Sequence, residues 1–143
     1  MNFKEFIENN NLEWTDYHSD APFSELLGKT PIKVEKVDDE NLYFEFDDCI
    51  YLMHHWGDCC EIVEIEDICG DLQDLVGTQI LRAEESTNNT DNPKDQEWDN
   101  SFTWTFYKLA TNKGYVDIRW YGTSNGYYSE EVSLTKFNKL KQE

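Results

Sequence analysis

The chain has 143 residues and a mass of 16.9 kDa, one domain's worth. Thirty acidic residues against 12 basic ones give a net charge of −18 and an isoelectric point near 4.3. That balance excludes a chain that wraps a phosphate backbone or is drawn to an anionic membrane, because both rest on Lys and Arg. Aromatic residues make up 15% of the chain, too many for a disordered acidic tail.

In chain order, Phe3, Phe6 and Ile7 fall at i, i+3 and i+4, which predicts a short amphipathic helix over residues 2–10 with Asn2 as its cap. Residues 14–22 read as loop, and 24–27 as one helical turn closed by Gly28. Residues 31–37 and 42–46 alternate apolar and charged residues around an Asp-Asp-Glu-Asn turn, a hairpin. Asp47-Asp48 turns the chain into a strand over 50–55, and 60–68 carries a further strand mixed with acids. Residues 71–76 read as a helical turn and 79–83 as a short strand.

Residues 84–100 are polar, contain Pro93 and are expected to form a mobile surface loop. Two strong strands follow, over 102–109 and 115–121, joined by a tight turn at 112–114. Residues 127–134 are expected as a last strand, and Thr135 as the cap of a terminal helix rich in lysine. The expected fold is α+β: a single domain over 1–143, dominated by an antiparallel β-sheet of hairpins, with short N- and C-terminal helices.

The start of the chain has acids and amides where a signal peptide needs a basic end and an apolar stretch. There is no run of about 20 apolar residues. Cys49, Cys59, Cys60 and Cys69 are therefore expected as free thiols or metal ligands rather than disulfides, and Cys59 and Cys60, as strand neighbours, would point to opposite faces and not readily bridge.

From Asp38 to Leu81 there are 13 acids and no Lys or Arg. One reading is a solvated face that keeps the protein soluble. The sharper reading is a surface that copies the charge of nucleic acid and occupies a basic groove on another protein, with salt-sensitive association. The acids expected to carry it are Glu61, Glu64, Glu66, Asp67, Asp71 and Asp74. Alternation puts Glu64 and Glu66 on one strand face and Glu61 on the other, unless a bulge intervenes.

Two other groups of side chains bear chemistry. His55 and Cys59 have a tolerable zinc-ligand spacing, but no C-x-x-C pair exists, so no metal is expected and these two stand as weak candidates. A thiol nucleophile there would need a lowered pKa, and the surrounding acids act the other way, so no catalytic residue is assigned. Trp104, Arg119, Trp120, Tyr127 and Tyr128 offer a ligand pocket for a planar, nucleotide-like signal. The competing reading is plain sheet packing, with Arg119 paired to a carboxylate.

The run HHWGDCCEIVEIEDICGDLQDLVGTQILRAEE, followed by TWTFYKLATNKGYVDIRWYGTSNGYYSEEV, carries an H-x-x-DCCE block, an IEDI-x-GDL-x-DL-x-G block, an AEE and a TWTFY…RWYG-x-SNGYYSE block. Over about residues 24–134 it resembles a family of small proteins of bacteriophages and prophages, a domain of unknown function. The resemblance implies a viral origin and the cytoplasm of a bacterial host, and no reaction or cofactor. The resulting expectation is a non-enzymatic acidic protein that antagonises a host system. It would dock on a basic, nucleic-acid-binding host protein, without touching nucleic acid or membrane itself. The alternatives are a sponge for a nucleotide-like signal and a zinc-binding or Cys/His module. The oligomeric state is left open.

Overall fold

The computed structural model describes residues 1–13, 19–90 and 101–140. Its elements are α1 (Phe3–Asn9), β1 (Ser19–Asp20), β2 (Lys33–Asp38), β3 (Asn41–Glu45), β4 (Cys49–His54), β5 (Ile62–Cys69), β6 (Arg82–Asn88), β7 (Ser101–Thr111), β8 (Gly114–Ser124) and β9 (Ser133–Asn138). Short 3-10 turns occupy Phe23–Leu26 and Leu72–Leu75. Every strand pair is antiparallel.

The strands form two sheets rather than the one expected. The first has the order β1-β9-β4-β3-β2 and the second β5-β8-β7-β6. Their facing sides share one core. Val34, Phe44, Tyr51, Met53 and Leu134 from the first sheet meet Val63, Ile65, Leu109, Ile118 and Trp120 from the second. The indole nitrogen of Trp120 donates to the sulfur of Met53 at 3.0 Å across that core.

A second, smaller core lies on the far side of the first sheet. There Phe6, Ile7 and Leu12 cover Tyr43, Ile50, Leu52 and Phe137. Strand alternation explains why all six residues of β4 are buried: Cys49, Tyr51 and Met53 face the second sheet, while Ile50 and Leu52 face α1. The molecule is thus three layers: helix, sheet, sheet. Asn2 caps α1 as expected, its side-chain oxygen accepting from the amides of Lys4 and Glu5.

Several expectations need correction. Thr135 does not cap a helix. It lies inside β9, which pairs residue for residue with β4 from Cys49↔Asn138 to His54↔Ser133. Residues 127–132, expected as strand, lie outside any strand. Strand β6 runs through residues 84–88, so the polar stretch begins as strand and not as loop; residues 91–100 of the expected loop lie outside the described residues. Cys59 and Cys60 occupy a bend before β5 begins, where strand alternation does not apply. There they are joined as a disulfide, S–S 2.09 Å. Cys49 and Cys69 are thiols, the first buried and the second exposed.

Candidate functional site

Among the described residues strand β5 is an edge strand, paired with β8 alone. Its register shifts between Ile65 and Asp67, so Glu66 is the extra residue of a bulge. Before the bulge Glu64 stands opposite Tyr121, and after it Asp67 stands opposite Arg119. Those partners lie on the outer side of the second sheet, whereas Val63 and Ile65 point into the core. The bulge thereby keeps acids outward on both sides of a break in alternation.

The unpaired edge of β5 receives the β2–β3 turn. The main-chain oxygen of Asp39 accepts from the amide of Ile65 at 2.6 Å. Asp38 shapes that turn, its Oδ1 accepting from the Glu40 amide at 2.8 Å and the Asn41 side chain at 2.9 Å. Burial alone would raise the Asp38 pKa, but the hydrogen bonds from Asn41 and Glu40 and the Met1 ammonium outweigh it, and the net shift is downward. One clasp therefore sets Asp38, Asp39 and Glu40 against Glu64, Glu66 and Asp67. The first three were counted in the acidic run but not singled out from sequence. Only the contact between sheets, which no spacing reveals, brings them to the site.

The other acids expected on this surface have different settings. Glu61 is turned into its own loop, its side chain only 2% exposed. Its carboxylate accepts from the amides of Asp58 at 2.6 Å, Cys59 at 3.2 Å and Cys60 at 3.0 Å, and from His55 Nε2 at 2.9 Å. The hydrogen bond from His55, followed by that from the Asp58 amide, holds the Glu61 carboxyl down at about 2. Asp71 caps the second 3-10 turn through the Gln73 amide. Asp74 anchors that turn on β7, its main-chain oxygen accepting from the Thr111 hydroxyl at 2.7 Å. Asp67 has a cation of its own, Arg119, at 3.7 Å.

His55 and Cys59 do not form a ligand pair. Nδ1 of His55 lies 2.7 Å from the carbonyl of Glu131 and Nε2 lies against Glu61. Both ring nitrogens are thus engaged by protein oxygens rather than open to a metal. Cys59 is held in the disulfide. Among the described residues no group of three or more His, Cys, Asp or Glu side chains could hold a metal ion.

The expected aromatic pocket is divided by the sheet. Arg119 and Trp104 share its outer face, with the guanidinium 5.3 Å from the Trp104 ring. Tyr121 and Phe106 flank Trp104 at 4.4 Å and 6.4 Å between centroids. Trp104 is 5% exposed and its indole nitrogen has no hydrogen-bond partner among the described residues. A cavity of about 150 Å³ opens beside Arg119, lined in part by Asp67, Phe106, Lys108 and Asp117. Trp120, next to Arg119 in the chain, points the opposite way and is fully buried. Tyr127 projects from the loop after β8, 91% exposed, and Tyr128 follows it, half-buried. Glu130 anchors that loop, accepting from the hydroxyls of Ser124 at 2.5 Å and Thr103 at 2.7 Å. Much of the TWTFY…RWYG-x-SNGYYSE pattern thus builds the sheet and its loop.

These features define a two-sheet antiparallel domain with an acidic edge and a partly enclosed Arg–aromatic face. The chain belongs to the DUF7448 family, a domain of unknown function, whose model matches residues 24–134. No curated protein and no solved structure matches it.

Proposed function

We propose that this domain is a non-catalytic binding protein that docks its acidic edge on a basic, nucleic-acid-binding protein. The observation that carries the reading is the Asp39–Ile65 clasp, which joins two separate acidic runs into one edge. On that edge Asp38, Asp39 and Asp67 have cations of their own, from Met1, Lys36 and Arg119. Among the described residues Glu40 and Glu64 form no ion pair with Lys or Arg and stand as the charge offered outward. Attraction between such an edge and a basic groove speeds encounter and fades with salt. Resemblance to phage and prophage proteins supports reading the partner as a host protein of the bacterial cytoplasm, antagonised by occupation of its nucleic-acid groove.

The test is capture from bacterial lysate over a salt series by the wild type and by a Glu40→Gln, Glu64→Gln, Glu66→Gln variant. The wild type is expected to retain a basic protein that is released as salt rises and that nucleic acid displaces. Retention of the same protein by the variant, with the same salt dependence, overturns the reading.

A second reading rests on Arg119. Its guanidinium lies over the Trp104 ring and lines, with Phe106 and Lys108, the cavity of about 150 Å³, which favours a planar ligand that carries an acceptor. Saturating nucleotide would then raise the melting temperature through preferential binding to the folded state. No shift across a nucleotide panel removes this reading.

A further inference from the structure

A cavity of about 230 Å³ lies beside the acidic edge, walled by Phe3, Glu40, Asn41, His54, Gly57 and Val63. One water needs only about 10–15 Å³ on this measure, so the space suits a group of several atoms. The donors already at its wall are each matched. The Met1 ammonium rests on Asp38 at 3.4 Å, and His55 rests on Glu61 at 2.9 Å. Two acceptors on the same wall are unanswered among the described residues. One is the carboxylate of Glu40. The other is the side-chain oxygen of Asn41, a residue only 8% exposed, whose amide nitrogen is spent on Asp38. Phe3 adds an aromatic wall, backed by the Trp56 ring stacked on it at 5.4 Å.

An amide oxygen open to the cavity, a carboxylate and an aromatic ring together suit a flat cation with several donors. A guanidinium meets that description: it is planar, carries five N–H donors, stacks on rings and is less strongly hydrated than an ammonium. We propose that this cavity receives an arginine side chain of the basic partner, bonded to Asn41 Oδ1 and Glu40 and packed along Phe3. The inference rests on the docking reading above and names the residue that the partner must supply.

The test uses the whole chain and Nα-acetyl-arginine amide as probe, with the uncharged citrulline analogue as control, followed by amide NMR shifts. The arginine probe is expected to give saturable shifts at Glu40, Asn41 and Gly57, and the citrulline analogue none. Gly57 lines the cavity and a Cβ there meets nothing within 4 Å, so Gly57→Leu introduces a side chain at this wall with room at its root. It should weaken the probe by about tenfold or more, and Glu40→Gln by about tenfold, or 1.4 kcal/mol. Glu64→Gln with Glu66→Gln should leave probe affinity within about threefold while reducing the salt dependence of docking.

Absent or non-saturating shifts, equal response to citrulline, or an unaffected Gly57→Leu variant overturns the arginine site. If salt-dependent docking persists in that case, the docking reading stands without it. If the probe binds but no basic protein docks, the docking reading falls, and the assignment to a partner's arginine falls with it.

Discussion

Gly122 lies directly beneath Glu130: a Cβ at position 122 would stand 3.0 Å from both the Cβ and the carbonyl oxygen of Glu130, and 3.2 Å from a Val63 methyl. The loop after β8 closes onto the sheet through this contact. Gly122→Ala must push that backbone away, and the hydroxyl bonds of Glu130 to Ser124 and Thr103 move with it. Overpacking of this kind costs about 1–3 kcal/mol. Urea denaturation should show the loss, while Gly57→Ala, where nothing lies within 4 Å, should stay within about 0.5 kcal/mol of wild type. Equal stability of the two variants would contradict the close approach.

Trp120 and Tyr127 both fall in the aromatic motif and should behave as opposites. Trp120 is fully buried between the sheets, and Tyr127 is 91% exposed. Trp120→Ala is expected to cost about 3–5 kcal/mol by lost transfer energy and a residual cavity. Tyr127→Ala should change stability by no more than about 0.5 kcal/mol. Thermal or urea unfolding of each variant gives the comparison, and a marked loss at Tyr127 would mean that the loop packs differently.

Acid should reveal Glu61. Its carboxyl is lowered from an ordinary 4.5 to about 2 by the hydrogen bond from His55 and the loop amides. A carboxyl depressed in the folded state contributes stability that is whole above about pH 4.5 and drains away as pH falls toward 2. The stability gap between wild type and Glu61→Gln should therefore be widest near neutrality and shrink through that window. Melting temperatures measured from pH 6 downward on the order of half-unit steps would show it. A gap that does not change with pH would mean that the carboxylate is not held in this way.

The two thiols should differ in reactivity. Burial, reinforced by Asp48, pushes Cys49 up to about 11, and the residue is 1% exposed. Cys69 is exposed, with its pKa raised by the hydrogen bond to Asp67. Iodoacetamide applied to the native protein at mildly alkaline pH should label Cys69 slowly and spare Cys49 until the chain is unfolded. Labelling of Cys49 at the rate of Cys69, read by peptide mass spectrometry, would contradict the buried position of β4.

The hairpins were legible because their alternation is strong. β2–β3 and β7–β8 have one face toward a core and turns rich in Asp, Asn and Gly. Strand β6 was not, because Arg82–Asn88 carries a single apolar residue, Ala83. It exists by pairing with β7 over seven positions. β9 was misread because Thr135 followed by lysines resembles a helix start, whereas Leu134 and Phe137 pack on opposite sides of a sheet. Alternation within a hairpin also says nothing about how hairpins stack, so the two layers were invisible. At the site, the acidic run was plain in the sequence. The inward turn of Glu61 depends on the amides of its own loop and on His55, and the approach of Asp39 to β5 on contact between sheets. Trp120 and Arg119 could be separated from sequence by parity, since neighbours on a strand face opposite ways.

The thin helix over the first sheet has a consequence for handling the protein. Phe6 and Ile7 on α1, with Leu12 just after it, cover Tyr43, Ile50, Leu52 and Phe137. A version trimmed of residues 1–12 would bare an oily plate beside an otherwise strongly anionic body. Such shortened molecules should pair plate to plate or precipitate, despite the mutual repulsion of their net negative charge.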